Sequence, residues 1–535
     1  MKGGNQMTAL KSLENMLSQG KISRREFLAR VSALGLTAAL SPVLLTTPAC
    51  AAKPKKGGRL KIGCGGASMT DTLDPALVTD IMAPLVSFGL LRNCLVEINP
   101  DGKLIPELAE RWEPTPDAKV WRFYLRKDVE FHNGKSLMAE DVLDSINHHR
   151  KEDSKSIFKS LAKQIVDVKA EGKYTVVFTL EAGNADFPYA LSDQHVSIFP
   201  LGTTDFSKGI GTGGYILEKW EPGVRAFTKR NPNYWKEGFA HFDEVEVTAI
   251  NDVTARTSAL RSGQIDVINR CERKTFHLLS KAPDVQSIVQ KGMRHYNFPM
   301  RTDMPPFNDN NIRMAMKHAI DREDILKTVL RGYGEVGNDH PISRLNQFYA
   351  KELPQRKYDP DKAKFYLKKA GMSNFKIDHH VANVAFEGAV DAALLFKQHA
   401  IKANIDINVI RSPNDGYWSN VWMNKPFTAA YWSGRPTEDW MFSDAYAAGA
   451  AWNETFWDHK GFNELLKKGR IELDPAKRRE IYGEMQRLVR DEGGEIILAF
   501  AADLHAASKK LHVPEKVAAN WEFDGFKIVE RWWFA

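Results

Sequence analysis

The chain has 535 residues, too many for one hydrophobic core, so its length predicts two or three domains. Its composition, 43% hydrophobic and 26% charged, is typical of a folded globular protein and favours it over a disordered one. The formal net charge is +7, but residues 1–51 hold six basic and two acidic residues, which leaves 68 basic against 65 acidic residues, or +3, for the remainder. So small an excess excludes the basic surface of a nucleic-acid-binding protein or of a polybasic membrane contact.

Residues 1–51 have the pattern of an export signal. Ser23–Leu28 (S-R-R-E-F-L) precedes the moderately apolar run Val31–Leu45, and a run of about 15 residues is too short to span a bilayer. The two arginines followed by Phe and Leu resemble a twin-arginine (Tat) export signal; a Sec leader with adjacent arginines is the alternative. A small-x-small triplet predicts cleavage before Ala52, and lipidation of Cys50 is the competing interpretation. We therefore predict a periplasmic protein.

Strands and helices alternate after this leader, which indicates α/β domains. Arg59–Gly63 is predicted to be the first strand, and a loop of small residues follows it. Val120–Arg126 alternates between two sets of residues, with Trp121, Phe123 and Leu125 on one face, which is the period of a half-buried strand. His132-Asn133-Gly134 then predicts a turn, and Ala139–Val142 opens a helix whose first turn is acidic, where the helix dipole favours negative charge.

The later predicted elements continue this alternation. They comprise a glycine-rich crossing at Gly209–Tyr215, strands at Tyr174–Leu180 and Ile405–Ile410, and helices at Ala255–Leu260, Ile312–Ile320, Gly388–Ala403, Phe462–Gly469 and Pro475–Asp491. In the Ile312–Ile320 segment the apolar residues recur at the spacing of one helical face.

Several of these segments together resemble the family 5 extracytoplasmic solute-binding proteins, the peptide- and nickel-type receptors of ABC importers. The segments that carry the resemblance are Thr72–Pro75, Leu108–Val142, Gly209–Tyr215, Asn231–Trp235, and Pro305–Asp309 with Ile312–Glu323. The resemblance implies an α/β fold: a two-lobed periplasmic-binding-protein clamshell with an extra inserted α/β domain. Lobe I would comprise residues 55–88, 206–295 and 501–535; the inserted domain, residues 89–205; and lobe II, residues 296–500. A membrane ABC permease is the implied partner.

Motifs that suggest other chemistry fail on their context. Gly209–Gly214 matches G-x-G-x-x-G, but a dinucleotide fingerprint must open a helix, and the following residues alternate like a strand. Gly134-Lys135-Ser136 lacks the first glycine of a P-loop. No nucleophile–base motif and no metal-ligand spacing is visible, so we expect no enzyme, no catalytic residue, no metal and no cofactor.

Three cysteines, Cys64, Cys94 and Cys271, remain after cleavage before Ala52. In an oxidising compartment this odd number allows one disulfide, whose pairing the sequence does not identify.

The segment 417–457 is the predicted ligand-binding region. It holds six of the thirteen tryptophans, and aromatic rings supply large, rigid contact areas in ligand clefts. We expect about half of these rings to be structural, with Trp418 and Trp432 the first choices for the cleft. The expected ligand-binding residues, taken from positions in the pattern, are Ala67, Ser68, Met69, Glu387, Gly388, Tyr417, Trp418, Trp432, Ser433, Gly434 and Arg435.

Arg435 marks a departure from the peptide receptors that the chain resembles. Dipeptide-binding relatives place an aspartate at this position for the ligand's ammonium group, and the loop His380–Glu387 lacks their arginine for the carboxylate. Arg435 could read a carboxylate or another anion, because its planar fork suits bidentate pairing. Alternatively it forms a bridge to Asp439 or Glu438 that shapes the loop. Both interpretations stay open on sequence grounds.

The sequence thus predicts a periplasmic substrate-binding protein of an ABC importer. We expect a monomer that captures a peptide-like or carboxylate-bearing small solute between two lobes and delivers it to the permease, with no nucleic-acid partner. A chemosensory ligand receptor, with the same sequence features, is the first alternative, and a secreted hydrolase is the second.

Overall fold

The computed structural model describes residues 54–535, except the side chain of Ser160. The predicted export signal at residues 1–51, with its cleavage before Ala52 and the alternative anchor at Cys50, lies outside the described residues. Within residues 54–535, no helix has both the length and the apolar character needed to cross a membrane.

The described strands are short and numerous. In chain order they are β1 (Arg59–Cys64), β2 (Val96–Ile98), β3 (Leu104–Pro106), β4 (Ala109–Pro114), β5 (Val120–Leu125), β6 (Ile165–Ala170), β7 (Thr175–Leu180), β8 (Tyr215–Glu221), β9 (Arg225–Arg230), β10 (Glu244–Ala249), β11 (Val267–Ile268), β12 (Val285–Gln290), β13 (His295–Pro299), β14 (Gly334–Val336), β15 (Phe375–Val381), β16 (Ile405–Arg411), β17 (Ala430–Trp432), β18 (Glu495–Ala501), β19 (Asp503–Ser508), β20 (Leu511–His512) and β21 (Trp533–Phe534).

The helices lie between these strands. The α-helices span Met82–Pro84, Ala139–Arg150, Lys159–Ala162, Phe187–Ala190, Val253–Arg261, Phe276–Leu279, Asn310–His318, Arg322–Thr328, Pro360–Lys369, Ala389–Ile401, Tyr417–Asn420, Glu438–Ala445, Lys460–Ile471, Pro475–Glu492, Glu522–Gly525 and Ile528–Arg531. A π-helical segment, Leu85–Leu91, continues the first of them, and 3-10 turns span Gln194–Val196 and Phe206–Lys208.

The first lobe is built on a mixed seven-stranded sheet in the order β12-β19-β11-β1-β10-β9-β8. The predicted first strand, β1, lies inside this sheet and pairs in parallel with both β10 and β11. Leu60 and Ile62 of β1 are fully buried against Val245 and Val247 of β10. The chain returns to this sheet at its end, because β19 separates β12 from β11.

The second lobe is built on a four-stranded sheet in the order β14-β18-β13-β17, and a parallel pair, β15–β16, belongs to the same lobe. Phe298 of β13 is its central core residue: its ring stacks on Phe396 and meets the edge of Phe427. Alanines on the helix Ala389–Ile401 are buried in the same core, which lets the helix approach closely. Two α/β lobes therefore make up the fold, as the resemblance implied.

A further sheet, in the order β4-β5-β7-β6, has a core of its own between residues 95 and 198. The strand Val120–Leu125 begins at the predicted residue and ends one residue before the predicted Arg126, and its inward residues Trp121 and Phe123 are buried. The helix Ala139–Arg150 begins where its acidic first turn indicated. The domain boundaries at residues 89 and 205 stay a prediction.

The three described cysteines do not form a disulfide. Cys64, Cys94 and Cys271 are all free and buried. Burial raises the pKa of the Cys271 thiol to about 12, and burial also raises the pKa values of the other two. The pairing that the sequence allowed is thus absent among these residues.

Candidate functional site

Within residues 54–535, two chain segments connect the two lobes. Residues 291–294 lead from β12 to β13, and Ala502 leads from β18 back to β19. The two crossings run side by side, because the backbone N–H of Ala501 donates to the carbonyl oxygen of Arg294 at 2.8 Å. Gly292 permits this approach, since a Cβ there would lie 2.3 Å from the carbonyl oxygen of Ala501. Any relative movement of the lobes must therefore bend this one pair of crossings.

A cavity of about 190 Å³ lies beside the crossings. Its wall includes residues of the first lobe, of the second lobe and of the segment near residue 194. Most of the polar members of that wall are charged, namely Asp80, Arg270, Arg294, Asp503 and Glu522, and the others are Gln194, Ser433 and Asn520. A solute held there would touch both lobes at once.

The guanidinium group of Arg270 is already paired with two carboxylates of the cavity wall. One of its terminal nitrogens lies 2.8 Å from Asp80 Oδ1, and its Nε donates to Glu522 Oε1 at 2.9 Å. The other oxygen of Glu522 accepts from the Asn269 side chain at 2.6 Å. Burial opposes the charge of Arg270, but the two carboxylates outweigh burial and raise its pKa. Arg270 is thereby fixed as a structural part of the wall.

Arg294 is held much more loosely. Its closest carboxylate contact joins Nη1 to Asp503 Oδ1 at 3.7 Å, which is beyond hydrogen-bond distance. Its Nε is buried and has no partner within the described residues. Asp503 likewise makes no side-chain hydrogen bond in the described part of the chain. The cavity thus contains one cation and one anion that are close to each other but weakly engaged.

The loop after β17 forms part of the cavity wall through Ser433 and Gly434, two of the predicted site residues. β17 pairs with β13 so that Trp432 lies opposite His295, directly after the crossing. Gly434 then packs on the crossing itself, because a Cβ at this position would lie 2.2 Å from the Cβ of Met293. Only glycine lets this loop pack so closely on Met293.

Arg435 points to a partner that the sequence did not identify. Its Nε donates to Asp444 Oδ2 at 2.9 Å, and Nη1 donates to the carbonyl of Ser433 at 3.1 Å. The predicted bridges to Asp439 and Glu438 are wrong: Asp439 pairs with Arg470, and Glu438 accepts from the backbone N–H of Phe348. These contacts favour the loop-shaping interpretation of Arg435.

Trp432 is anchored from below by a buried carboxyl group. Its Nε1 donates to Glu454 Oε1 at 2.6 Å, and Trp422 Nε1 donates to the other oxygen. Asn297 donates to both Glu454 and Glu495, at 2.8 and 2.6 Å. Burial raises the pKa of each of these glutamates, although the donated hydrogen bonds oppose the shift. The network fixes the indole that precedes the cavity loop.

The other predicted site residues are outside the wall of this cavity. Tyr417 is buried in the second lobe, and its hydroxyl is 2.8 Å from the Ala429 carbonyl oxygen. Trp418 is partly exposed and packs on Trp422 and Tyr431. As ligand contacts, they and Trp432 stay predictions.

Two further predicted segments flank the boundary between lobes. Glu387 bridges to Arg273 of the first lobe at 2.9 Å, and Gly388 has a left-handed backbone (φ +85°) before the helix Ala389–Ile401. The Ala67–Met69 loop is held by Asn251, whose side chain donates to the Ala67 carbonyl oxygen at 2.9 Å, and Met69 is 74% exposed. Their contact with a ligand also stays a prediction.

A second, wider cavity of about 470 Å³ adjoins the first. The two share Met293, Ala519 and Asn520, so a solute could extend from one into the other. The wider cavity has a volume in the range of small-molecule sites, about 300–1,000 Å³, and the 190 Å³ cavity is smaller than that range.

Sequence reasoning missed Arg294, Gln194, Asp503 and Asn520. None of them belongs to a motif, and they are up to 326 positions apart in the chain. The only signal was the position of Arg294 just before the predicted end of lobe I at residue 295.

Residues 103–454 match the model of the bacterial extracellular solute-binding proteins, family 5 middle region. Among curated proteins, the chain is 28% identical over 340 residues to heme-binding protein A of Haemophilus influenzae, covering 58% of this chain and 62% of that protein. It is 29% identical over 295 residues to the nickel-binding periplasmic protein of Escherichia coli, covering 52% and 55%. The match to the dipeptide-binding protein of E. coli is 24% identical and covers 85% and 96%. The chain thus spans under two thirds of the first two relatives.

Solved structures share the fold over most of the chain. HbpA2 from Haemophilus parasuis superimposes with a TM-score of 0.77 at 22% identity, covering 85% of this chain and 96% of that one. The periplasmic binding protein DppA from Helicobacter pylori, in complex with the peptide STSA, gives a TM-score of 0.71 at 22% identity, covering 90% and 98%. At these identities the likeness shows the two-lobed fold.

Proposed function

Because this chain belongs to family 5 of the bacterial extracellular solute-binding proteins, we propose that it is the substrate-binding protein of an ABC importer. It captures a peptide-like or carboxylate-bearing small solute between its two lobes and delivers the solute to a membrane permease. The observation that carries this proposal is the cavity beside the two crossings, lined by charged residues of both lobes. The proposal includes no catalytic step.

Binding would act through a shift between open and closed forms. A solute that contacts both lobes stabilises the closed form by the difference in its affinity for the two forms. Contacts between the lobes that need no solute would contribute as well. Arg273–Glu387, at 2.9 Å, joins the first lobe to the second, and Asp186–Arg478, at 2.7 Å, joins the second lobe to the region around β4–β7.

The charge of the cavity wall supports a polar, ionised solute over an apolar one. Two arginines and three carboxylates line a space of about 190 Å³, and an apolar solute there would leave charged groups without partners. The relatives named for dipeptides and the neighbour solved with a peptide agree with such a solute class.

The proposed site of action is the periplasm. The twin-arginine pattern in residues 1–51 would direct export of the folded chain, and cleavage before Ala52 would release it as a monomer. Mass spectrometry of the protein from the periplasmic fraction tests this part: a mature N-terminus at Ala52 supports it, and a lipidated Cys50 contradicts it. Light scattering of the same sample tests the monomer.

Solute capture is tested on the purified mature protein. Native mass spectrometry would identify a co-purified solute, and thermal shift would compare peptides, opines and sugars. Small-angle scattering with the best solute should show a smaller radius of gyration. A strain without this gene should lose uptake of that solute. Unchanged uptake with lost chemotaxis would favour a chemosensory receptor, and consumption of the solute by the protein would favour a hydrolase.

A further inference from the structure

Three polar side chains on the wall of the 190 Å³ cavity carry a buried atom that lacks a hydrogen-bond partner in the described part of the chain. The atoms are Arg294 Nε, Gln194 Oε1 and Asn520 Oδ1. Buried polar groups of folded proteins are paired in the great majority of cases, because leaving one unpaired costs free energy. Three such atoms lie around one cavity, where a bound group can supply the missing partners.

The two arginines of the wall differ in what they can offer to such a group. Arg270 is engaged by Asp80 and Glu522 at 2.8 and 2.9 Å. Arg294 has a free Nε and only the 3.7 Å contact with Asp503. A guanidinium fork with an unused Nε edge suits a carboxylate, which can accept two parallel hydrogen bonds.

The acidic side of the cavity shows the same contrast. Asp80 and Glu522 each contact Arg270 within 3 Å, whereas Asp503 has only the 3.7 Å contact with Arg294 and is the least engaged of the three carboxylates. Its side chain is 21% exposed and faces the same cavity as Arg294. A solute that carries one negative and one positive charge can replace the weak Arg294–Asp503 contact. Its negative group would pair with Arg294 and its positive group with Asp503, each at a short distance.

We propose that Arg294 binds the carboxylate, and Asp503 the ammonium, of a zwitterionic head group of the α-amino-acid type, in which these two charges are adjacent. Gln194 and Asn520 complete the site by hydrogen bonding to the remaining polar atoms of the solute. This inference rests on the proposed function and narrows its solute class to amino acids, opines and related compounds.

Because Arg294 and Asp503 lie on the two crossings, a head group bound to both can influence closure of the two lobes. Arg294 ends one crossing, and Asp503 follows Ala502, which forms the other. The Arg294 carbonyl already accepts from Ala501, so the two backbones are coupled at this point. A head group that bridges the two side chains therefore fixes the part of the chain that bends when the lobes move.

The first test varies the solute and leaves the protein unchanged. The probes are the twenty proteinogenic α-amino acids and the opines octopine and nopaline, each strong binder then being compared with its N-acetyl and primary-carboxamide derivatives by isothermal titration. We expect at least one parent probe to bind, and each derivative to bind at least about tenfold more weakly. A carboxamide or an N-acetyl derivative that binds as well as its parent overturns the proposal.

The second test varies the protein. Arg294→Met and Asp503→Asn should each lower the affinity for the parent probe at least about tenfold. Each should also reduce the preference for the acid over its carboxamide. Arg294→Lys, which keeps the charge without the fork, should recover part of the affinity. Arg487→Met is the matched control, because this arginine pairs with Glu484 on a distant helix, and it should bind like wild type. Circular dichroism confirms folding of each variant.

The outcomes separate this inference from the proposed function. If a solute without an amino-acid head group binds, closes the lobes and depends on the gene for uptake, the proposed function stands and this inference fails. An unaltered acid preference in Arg294→Met also refutes it. If no solute class binds and none co-purifies, both fail.

Discussion

Glu438 begins the helix Glu438–Ala445, and its carboxyl group is buried where the second lobe meets the region around β4–β7. Burial raises its pKa from the usual 4.5 to about 7; the Phe348 N–H and Arg478 oppose the shift, and Asp186 adds to it. We predict that Glu438→Gln removes a pH-dependent loss of folding stability. Glutamine keeps an oxygen for the Phe348 N–H, 2.7 Å away, but never ionises.

The direction follows from proton binding. Between pH 4.5 and 7 folded Glu438 keeps its proton while the unfolded chain releases it, so unfolding releases a proton and stability falls as pH rises. The loss is complete above pH 7. Each pKa unit corresponds to about 1.4 kcal/mol, so a rise from 4.5 to about 7 corresponds to roughly 3 kcal/mol. The glutamine variant should match wild type near pH 4.5 and exceed it by about 3 kcal/mol at pH 8.

Urea unfolding followed by tryptophan fluorescence at several pH values measures this difference. Glu464→Gln is the control, because this glutamate is exposed on the helix Lys460–Ile471, and its curve should run parallel to wild type at every pH. A Glu438→Gln difference that stays constant from pH 4.5 to 8 would refute the reasoning and show that burial does not control this carboxyl group.

Further predictions concern packing, pairing and redox state. Arg478→Met leaves Asp186 buried without its partner at 2.7 Å and should cost about 3–5 kcal/mol in urea unfolding; adding Asp186→Asn should restore part of this. Phe298→Ala empties a fully buried site and should cost about 3–5 kcal/mol, whereas a loss below 1 kcal/mol would contradict its central position. Arg435→Ala should lower the melting temperature but leave the acid-to-carboxamide preference of the solute unchanged; a lost preference would restore its role as anchor. The three buried cysteines should react with a thiol reagent only after denaturation, and reductant should not shift the melting temperature.

Local patterns in the sequence predicted local structure well. The strand Val120–Leu125 alternates because one face is buried, and the helix Ala139–Arg150 begins at its acidic turn; both depend on neighbouring residues alone. Gly434 was placed in the cavity wall by its family position, and its contact with Met293 supplies the physical reason for glycine.

The pairing of Arg294 with Asp503 depends on contacts between residues far apart in the chain, and the periodicity of the sequence does not predict such contacts. Arg294 and Asp503 meet only because the two crossings are neighbours. Arg435 was given the wrong partners because Thr437 caps the helix and its first turn faces inward, so that Asp444, nearly two turns later, reaches the guanidinium instead.

The arrangement of the crossings has a mechanical consequence. Gly58 lies against the ring of Phe534, so both ends of the described chain are adjacent in the first lobe, and the second lobe is a long excursion between residues 294 and 502. A pulling force applied at Gly58 and Phe534 acts on the first lobe alone. The second lobe experiences the force only after the first lobe has unfolded. A tether at either end would accordingly hold one lobe still and leave the other free to swing.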